Sequence, residues 1–338
     1  MQASGEEDMS RKTAFKAVTA IAAACMGALA FAGCGASGTP AQSSAAGGDG
    51  ELTPVSIALV KVAGSAPVFI ADQEGFFEAE GLDVTIREVP GPAAVAALQN
   101  GEVQFASLGA TVVVNAVAQG IPLTVVSGRT QTAQTEETDD TWVMVMPDSG
   151  ISSAADLDGL TVGTQTLTSQ NTLMGRVAVD DLGGDSESIQ FVDVPMPDLM
   201  AALRSDSIQA AMASEPFVTG MEAAGAERLF GIGYNAFPSE PAPIGVIATQ
   251  QSYAAENADI VAAFTRAFAA AVDWANEDEE RLRAALPDLV GLPAENADAM
   301  ILPTYTTTVT ESGMNDLIDA LVAQGFIEEK PATENLIP

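Results

Sequence analysis

Histidine is absent from this chain of 338 residues, and cysteine occurs only twice. Without imidazole or a spare thiol, Ser–His and Cys–His nucleophile pairs and most zinc chemistry are excluded. Aromatic residues make up 5% of the chain, and basic residues number 13 against 46 acidic ones. A formal charge of −33 leaves no basic stripe to neutralise phosphates, which excludes nucleic acid as a partner. Neither a G-x-S-x-G elbow nor a phosphate-cradling P-loop occurs. The acidic run "DDLGGDSE" (Asp180–Glu187) lacks the spacing of a calcium loop and reads as a helix-ending turn. No metal and no cofactor are expected, and an enzyme is the disfavoured class. What is abundant is ordinary globular material: 47% of the residues are hydrophobic.

The N-terminus carries the first positive signal. Arg11, Lys12 and Lys16 form a basic n-region, and Ala17–Phe31 is an apolar run about half the length that spans a membrane. It ends in "LAFAGCG", which resembles a bacterial lipoprotein signal. The resemblance implies cleavage before Cys34 and lipidation of its thiol, with residues 1–33 removed as signal peptide. The acidic Glu6, Glu7 and Asp8 ahead of the n-region point to translation from Met9, which N-terminal sequencing of the precursor would test. Cys25 leaves with the signal, so the mature chain forms no disulfide. Residues 34–53 are small and polar without periodicity and read as a flexible tether. The expectation is a domain held at the extracytoplasmic face of the cell membrane by lipid on Cys34.

From Thr53 onward short β-rich runs alternate with helical stretches, the pattern of an α/β fold with a largely parallel sheet. Strands are predicted over 55–60, 82–89, 103–107, 123–127, 142–146, 160–164, 189–194, 208–213 and 244–249. Helices are predicted over 67–79, 93–99, 111–119, 169–182 and 198–204, and everything after 250 reads as helical. An internal echo stands out. "AALQNGEVQFA" (Ala96–Ala106) and "AALRSDSIQAA" (Ala201–Ala211) share Ala-Ala-Leu, an aliphatic, Gln and Ala in one register. Two halves of like topology, with a cleft between them, would produce it.

At the level of ordered motifs the chain resembles the substrate-binding proteins of ABC importers, in the nitrate/sulfonate/taurine and thiamine-precursor (NMT1/THI5-like, SsuA-like) group. The residues that carry this are "GSAPVFIADQEGFFEAEGLDV", "AALQNGEVQFASLG", "QGIPLTVVS", "PDSGISSAADLDGLTVG" and "AALRSDSIQAAMASEPF", in that order over about two-thirds of the chain. The chain departs from the family pattern with Gln104 and Gln209 where Asp is usual, and with Ser205 or Asp206 where Gly is usual. The resemblance implies a type II periplasmic-binding-protein fold. Lobe one would span 54–146 and lobe two 147–235, with 236–338 returning to lobe one. Strands near Trp142–Met146 and Ile244–Thr249 would form the hinge. It also implies a small-molecule ligand, permease and ATPase subunits as partners, and a monomer.

In open α/β sheets the ligand sits outside the carboxyl ends of the strands, where helices begin. Helix starts offer unpaired N–H groups and partial positive charge, which suit an anion. The candidate contacts are therefore Ser65 and Ala66; Gly91 and Ala93; Gly109, Ala110 and Thr111; and Thr164, Thr168, Ser169 and Gln170. Arg129 follows a strand end and either touches ligand or is a solvated or salt-bridged loop residue. Glu215 either accepts hydrogen bonds from a ligand amine or serves as a cap or hinge. Trp142 either stacks on ligand or packs the core. The expected ligand is a small anion of the sulfonate, taurine or nitrate type. The alternatives are a neutral or cationic thiamine-pyrimidine precursor in the same cleft, or a tethered sensor domain.

Overall fold

The computed structural model describes residues 51–89, 91–331, 336 and 337. The expected signal peptide, the expected lipidation site Cys34 and most of the expected tether lie outside the described residues. Strands β1 (Thr53–Leu59), β2 (Leu82–Glu88), β3 (Phe105–Gly109) and β4 (Leu123–Gln131) alternate with helices. These are α1 (Ala66–Gln73), α2 (Phe76–Ala79), α3 (Gly91–Gln99) and α4 (Ala110–Ala118). The single helix predicted over 67–79 is split at Gly75, whose φ of 72° is left-handed. A second series follows: β5 (Thr141–Val145), β6 (Thr161–Thr164), α5 (Gln170–Asp181), β7 (Gln190–Asp193), α6 (Leu199–Arg204), β8 (Ala210–Ser214), α7 (Phe217–Ala223), β9 (Glu227–Gly231) and α8 (Ile232–Ala236). The chain then returns through β10 (Pro243–Gln250) to α9 (Gln251–Glu256), α10 (Ala258–Glu277), α11 (Glu279–Val290), α12 (Ala294–Ala299), β11 (Thr304–Tyr305) and α13 (Glu311–Ala323). β11 breaks the helical reading of the C-terminal part, and β9 was not predicted. Among the described residues no helix is long and apolar enough to cross a membrane.

Two sheets form, ordered β11-β4-β10-β3-β1-β2 and β7-β6-β8-β5-β9. Setting aside the short edge strand β11, both have the same order, with one antiparallel strand in fourth place. In the first sheet that strand is β10, antiparallel to β3 and β4; in the second it is β5, antiparallel to β8 and β9. The expected hinge therefore needs correction. Thr141–Val145 and Pro243–Gln250 lie inside sheets, and the chain crosses between sheets over 132–140 and 237–242. The physical reason is pairing. β5 is fully buried and hydrogen-bonds on both sides to strands that come later, so it belongs to the second sheet and not to lobe one.

Each sheet is covered on both faces. In the first, Val55, Ile57, Leu59, Phe105 and Ile247 pack with α1, α2 and α10, where Phe264 stacks on Phe105 at 4.0 Å. The opposite face, with Ala58, Ala106, Leu108 and Val246, packs α3, α4 and α13. In the second sheet, Trp142 and Met144 face α6 and α7, and Val143 and Val145 face α5 and α8. The alternation follows from the strand period of two.

The internal echo corresponds to equivalent structure. Gly101 and Asp206 occupy the same place after α3 and α6, and both are left-handed, at φ 71° and 57°. Asp206 thus fills the position where the family pattern has glycine. Gln104 Oε1 accepts from Ser56 N at 2.9 Å, and Gln209 Oε1 accepts from Thr161 N at 3.1 Å. Each glutamine also donates its own N–H to the carbonyl of the same residue. The two glutamines do one job in two copies: they tie the entrance of β3 and of β8 to the parallel strand beside it, β1 and β6.

Candidate functional site

β1 to β4 run in one direction, so their carboxyl ends meet the start of β10 along one edge. β6 to β9 present an equivalent edge in the second sheet, beside the start of β5. Both crossing segments leave from these edges, which therefore flank one cleft. The acidic crossing segment is tied to the second sheet. Glu136 Oε1 accepts from Gly231 N at 2.9 Å, and Asp139 accepts from Thr141 N, Thr141 Oγ1 and Tyr234 N at 3.1, 2.9 and 2.8 Å.

The first edge holds a buried cation. Arg129, in β4, is 8% exposed. Among the described residues no carboxylate lies within 4.0 Å of it, and its one hydrogen bond is a long donation from Nη1 to Ser65 Oγ, at 3.4 Å. Two glycines make room for it. A β-carbon on Gly64 would lie 2.5 Å from Nη1, and one on Gly245 would overlap the guanidinium. Burial pulls the Arg129 pKa down to about 10, with Tyr305 and Asp140 pulling it partly back. An unpaired buried guanidinium is costly, and such groups cluster at binding sites.

Three buried polar atoms without partners share this place: Arg129 Nε, Ser107 Oγ and Gln170 Oε1. Ser107 precedes Gly109 by two residues in β3, so both face the same side. Gly109 lies opposite Gly245, the glycine beneath Arg129. A β-carbon on Gly109 would lie 3.9 Å from Gln170 Oε1. Gln170 belongs to the second sheet's helix α5 and reaches across the cleft, donating from Nε2 to Pro243 O at 2.8 Å. Small residues, Ser107, Gly109 and Gly245, thus lie between the buried cation and the free amide oxygen of Gln170. Among the remaining partnerless atoms, those of Arg228 and Arg281 belong to guanidiniums stacked on Trp142 and Trp274, 5.0 and 4.0 Å from the ring centres.

The structure thus brings together Ser65, Ala66, Gly109, Ala110, Thr111, Arg129 and Gln170 along one stretch of edge. The other candidates have different surroundings. Thr164 Oγ1 pairs with Thr172 Oγ1 at 2.7 Å, and Ser169 Oγ accepts from Thr172 N at 3.2 Å, so both hydroxyls are used within their own loop. Gly91 lies near Val112, and Ala93 and Thr168 are exposed. The Glu215 carboxylate accepts from Thr219 N, Thr219 Oγ1 and Ile301 N at 3.1, 2.9 and 3.2 Å. It caps α7 and links it to the segment before β11. Trp142 is 8% exposed and packs the core, donating from Nε1 to Asp139 O at 2.6 Å.

Sequence reasoning missed Gly64, Ser107, Gly245, Asp140 and Tyr305. Ser107 was within reach, since it ends a predicted strand. Tyr305 donates to Ala63 O at 2.8 Å, and burial raises its pKa. Asp140 stays partly exposed inside the cleft, and burial among protein groups, with Asp139 and Glu215 adding repulsion, lifts its pKa to about 7. Among the described residues no group of acidic or thiol side chains could hold a metal ion.

The aliphatic sulphonate binding protein SsuA of Escherichia coli is similar in structure, with a TM-score of 0.70 and 20% identity, covering 84% of this chain and 92% of that one. The alkanesulfonate-binding protein SsuA of Xanthomonas axonopodis pv. citri, bound to MOPS, gives 0.66 and 18%, covering 86% and 99%. The nitrate-binding protein NrtA of Synechocystis PCC 6803 gives 0.66 and 14%, covering 84% of each. These likenesses establish the type II periplasmic-binding-protein fold. No curated protein sequence matches. The family model described as NMT1/THI5 like matches residues 63–281, more than half of the chain. The chain therefore belongs to the NMT1/THI5-like family.

Proposed function

We propose that this protein is the extracytoplasmic receptor of an ABC importer, anchored by lipid on Cys34, and that it captures a small anion between its two sheets. The observation that carries the reading is Arg129, a buried guanidinium with no carboxylate partner among the described residues. An anion beside it would complete it, with Ser65, Ser107 and the N–H groups that begin α1 and α4 as further donors. Gln170 Oε1 is a free acceptor, which favours an anion that also carries an N–H or O–H, such as an amino- or hydroxysulfonate. The partly exposed Asp140 supports a second reading, in which a cationic pyrimidine occupies the cleft. The receptor role involves no turnover, and the ligand is handed on to a permease.

The test is a thermal-shift screen of the full chain with methanesulfonate, taurine, nitrate, bicarbonate, aromatic acids and pyrimidines. A ligand at a hundred times its Kd adds about 2.7 kcal/mol of stability. Gly109→Asp should abolish the response to an anion while sparing the fold, since a β-carbon there meets only ordinary contacts. A response to pyrimidines alone would select the second reading, and turnover of any ligand would overturn the receptor role.

A further inference from the structure

A cavity of about 620 Å³, with Arg129 not among its lining, lies between α3 and α4, which cover the first sheet, Arg176 of α5 and the loop before it beside the second sheet, and the turn after α13. Its volume is in the range of about 300–1,000 Å³ typical of small-molecule pockets. The floor is apolar, from Val95, Val112, Ala116, Ile121 and Phe326. The polar groups on its wall include the carboxamides of Gln99 and Gln119, which make no side-chain hydrogen bond among the described residues, and the guanidinium of Arg176. Arg176 stacks on Phe191, with its carbon 4.8 Å from the ring centre. Its Nε is buried without a partner, and it forms no hydrogen bond or ion pair among the described residues. Among the described residues none that line it is acidic, although 46 of the 338 residues are. In so acidic a chain, a cavity whose single charge is a free guanidinium has the polarity of an anion site.

We propose that this cavity is a second binding site, for an organic monoanion with an apolar body such as an aryl carboxylate. Arg176 would hold the charged end edge-on while its face stays on Phe191, and the apolar floor would take the body. The site shares no residue with the Ser65–Ser107–Arg129–Gln170 cluster, and it stands whether or not that cluster binds an anion. Because its walls come from helices packed on both sheets, an occupant is linked to their relative position and hence to whatever occupies the cleft.

The experiment is calorimetric titration of the full chain with 2-naphthoate, and with uncharged 2-naphthol as control. Saturable 2-naphthoate binding is expected, weakened by about tenfold or more in Arg176→Gln. Naphthol binding should not respond to that change. Ala96→Trp, on an exposed lining position of α3, should abolish binding of both by filling the cavity. Arg129→Gln should leave 2-naphthoate binding unchanged. Absence of saturable binding to the unmodified chain, indifference to both Arg176→Gln and Ala96→Trp, or loss in Arg129→Gln alone would each overturn the proposal.

Discussion

Replacing Arg129 by methionine should move stability and binding in opposite directions. The guanidinium is 8% exposed, its one hydrogen bond is 3.4 Å long, and burial draws its pKa down to about 10. A drop of more than two decades in proton affinity, at about 1.4 kcal/mol per decade, makes the buried charge cost about 3 kcal/mol. The folded pKa lies below the unfolded one, so the cost is present at neutral pH and is lifted only as pH rises through about 10. Methionine keeps much of the apolar stem and removes the charge. Allowing for the shorter side chain and the lost Ser65 contact, the ligand-free variant should gain about 1–3 kcal/mol. Scanning calorimetry at pH 7 should show Tm higher by a few degrees. The same scan with a saturating anion from the ligand screen should show the unmodified chain stabilised and the variant indifferent. A variant with lowered Tm that still responds to the anion would refute the reasoning, because Arg129 would then be a prop within the sheet.

Two further measurements probe the frame around the site. Gln104→Ala and Gln209→Ala should each cost about 1–2 kcal/mol in urea denaturation, since each strands a strand N–H, and the double variant should show their sum; a large cost at one site and none at the other would deny their equivalence. Asp140 has a folded pKa of about 7 against an ordinary 3.8, so its contribution to stability is present in acid and is lost as pH rises from about 4 to 7. Asp140→Asn should therefore gain Tm over the unmodified chain progressively across that window, and parallel profiles would contradict it.

Much of the frame was legible because local pattern determines it. Val55, Ile57 and Leu59 alternate as a strand on a covered face must, and left-handed glycines at 81, 120 and 183 stop their helices where expected. Pairing was not legible. β5 reads as a strand on its hydrophobicity, but nothing local says that it joins β8 and β9, which arrive some 70 to 90 residues later. β9 begins Glu227-Arg228, a poor strand signal, because Arg228 stacks on Trp142 and pairs with Glu222. The site divided in the same way. The helix starts at Ser65 and Gly109 could be placed from sequence, but Gly64 and Gly245 matter only because the fold lays Arg129 across them. Within the hydroxyl-rich stretch at 164–172 only Gln170 was placed beside Gly109 by the fold, while Thr164, Ser169 and Thr172 pair with one another, as short hydroxyl side chains readily do.

The shared sheet order has a consequence for the order of assembly. The second sheet is built from one unbroken stretch, Thr141 to Gly231, and can pair as soon as that stretch exists. The first cannot. Its strand β10 must insert between β3 and β4, which precede it by more than a hundred residues, and α10 must follow to cover Phe105. Until then β3 and β4 are neighbours without their spacer, with unpaired edges open to wrong partners. The second sheet should therefore be the early, autonomous folding unit, and closure of the first the slow, non-local step. Since Arg129 gains its seat only when Gly245 slides beneath it, the proposed anion site would be among the last features of the molecule to form.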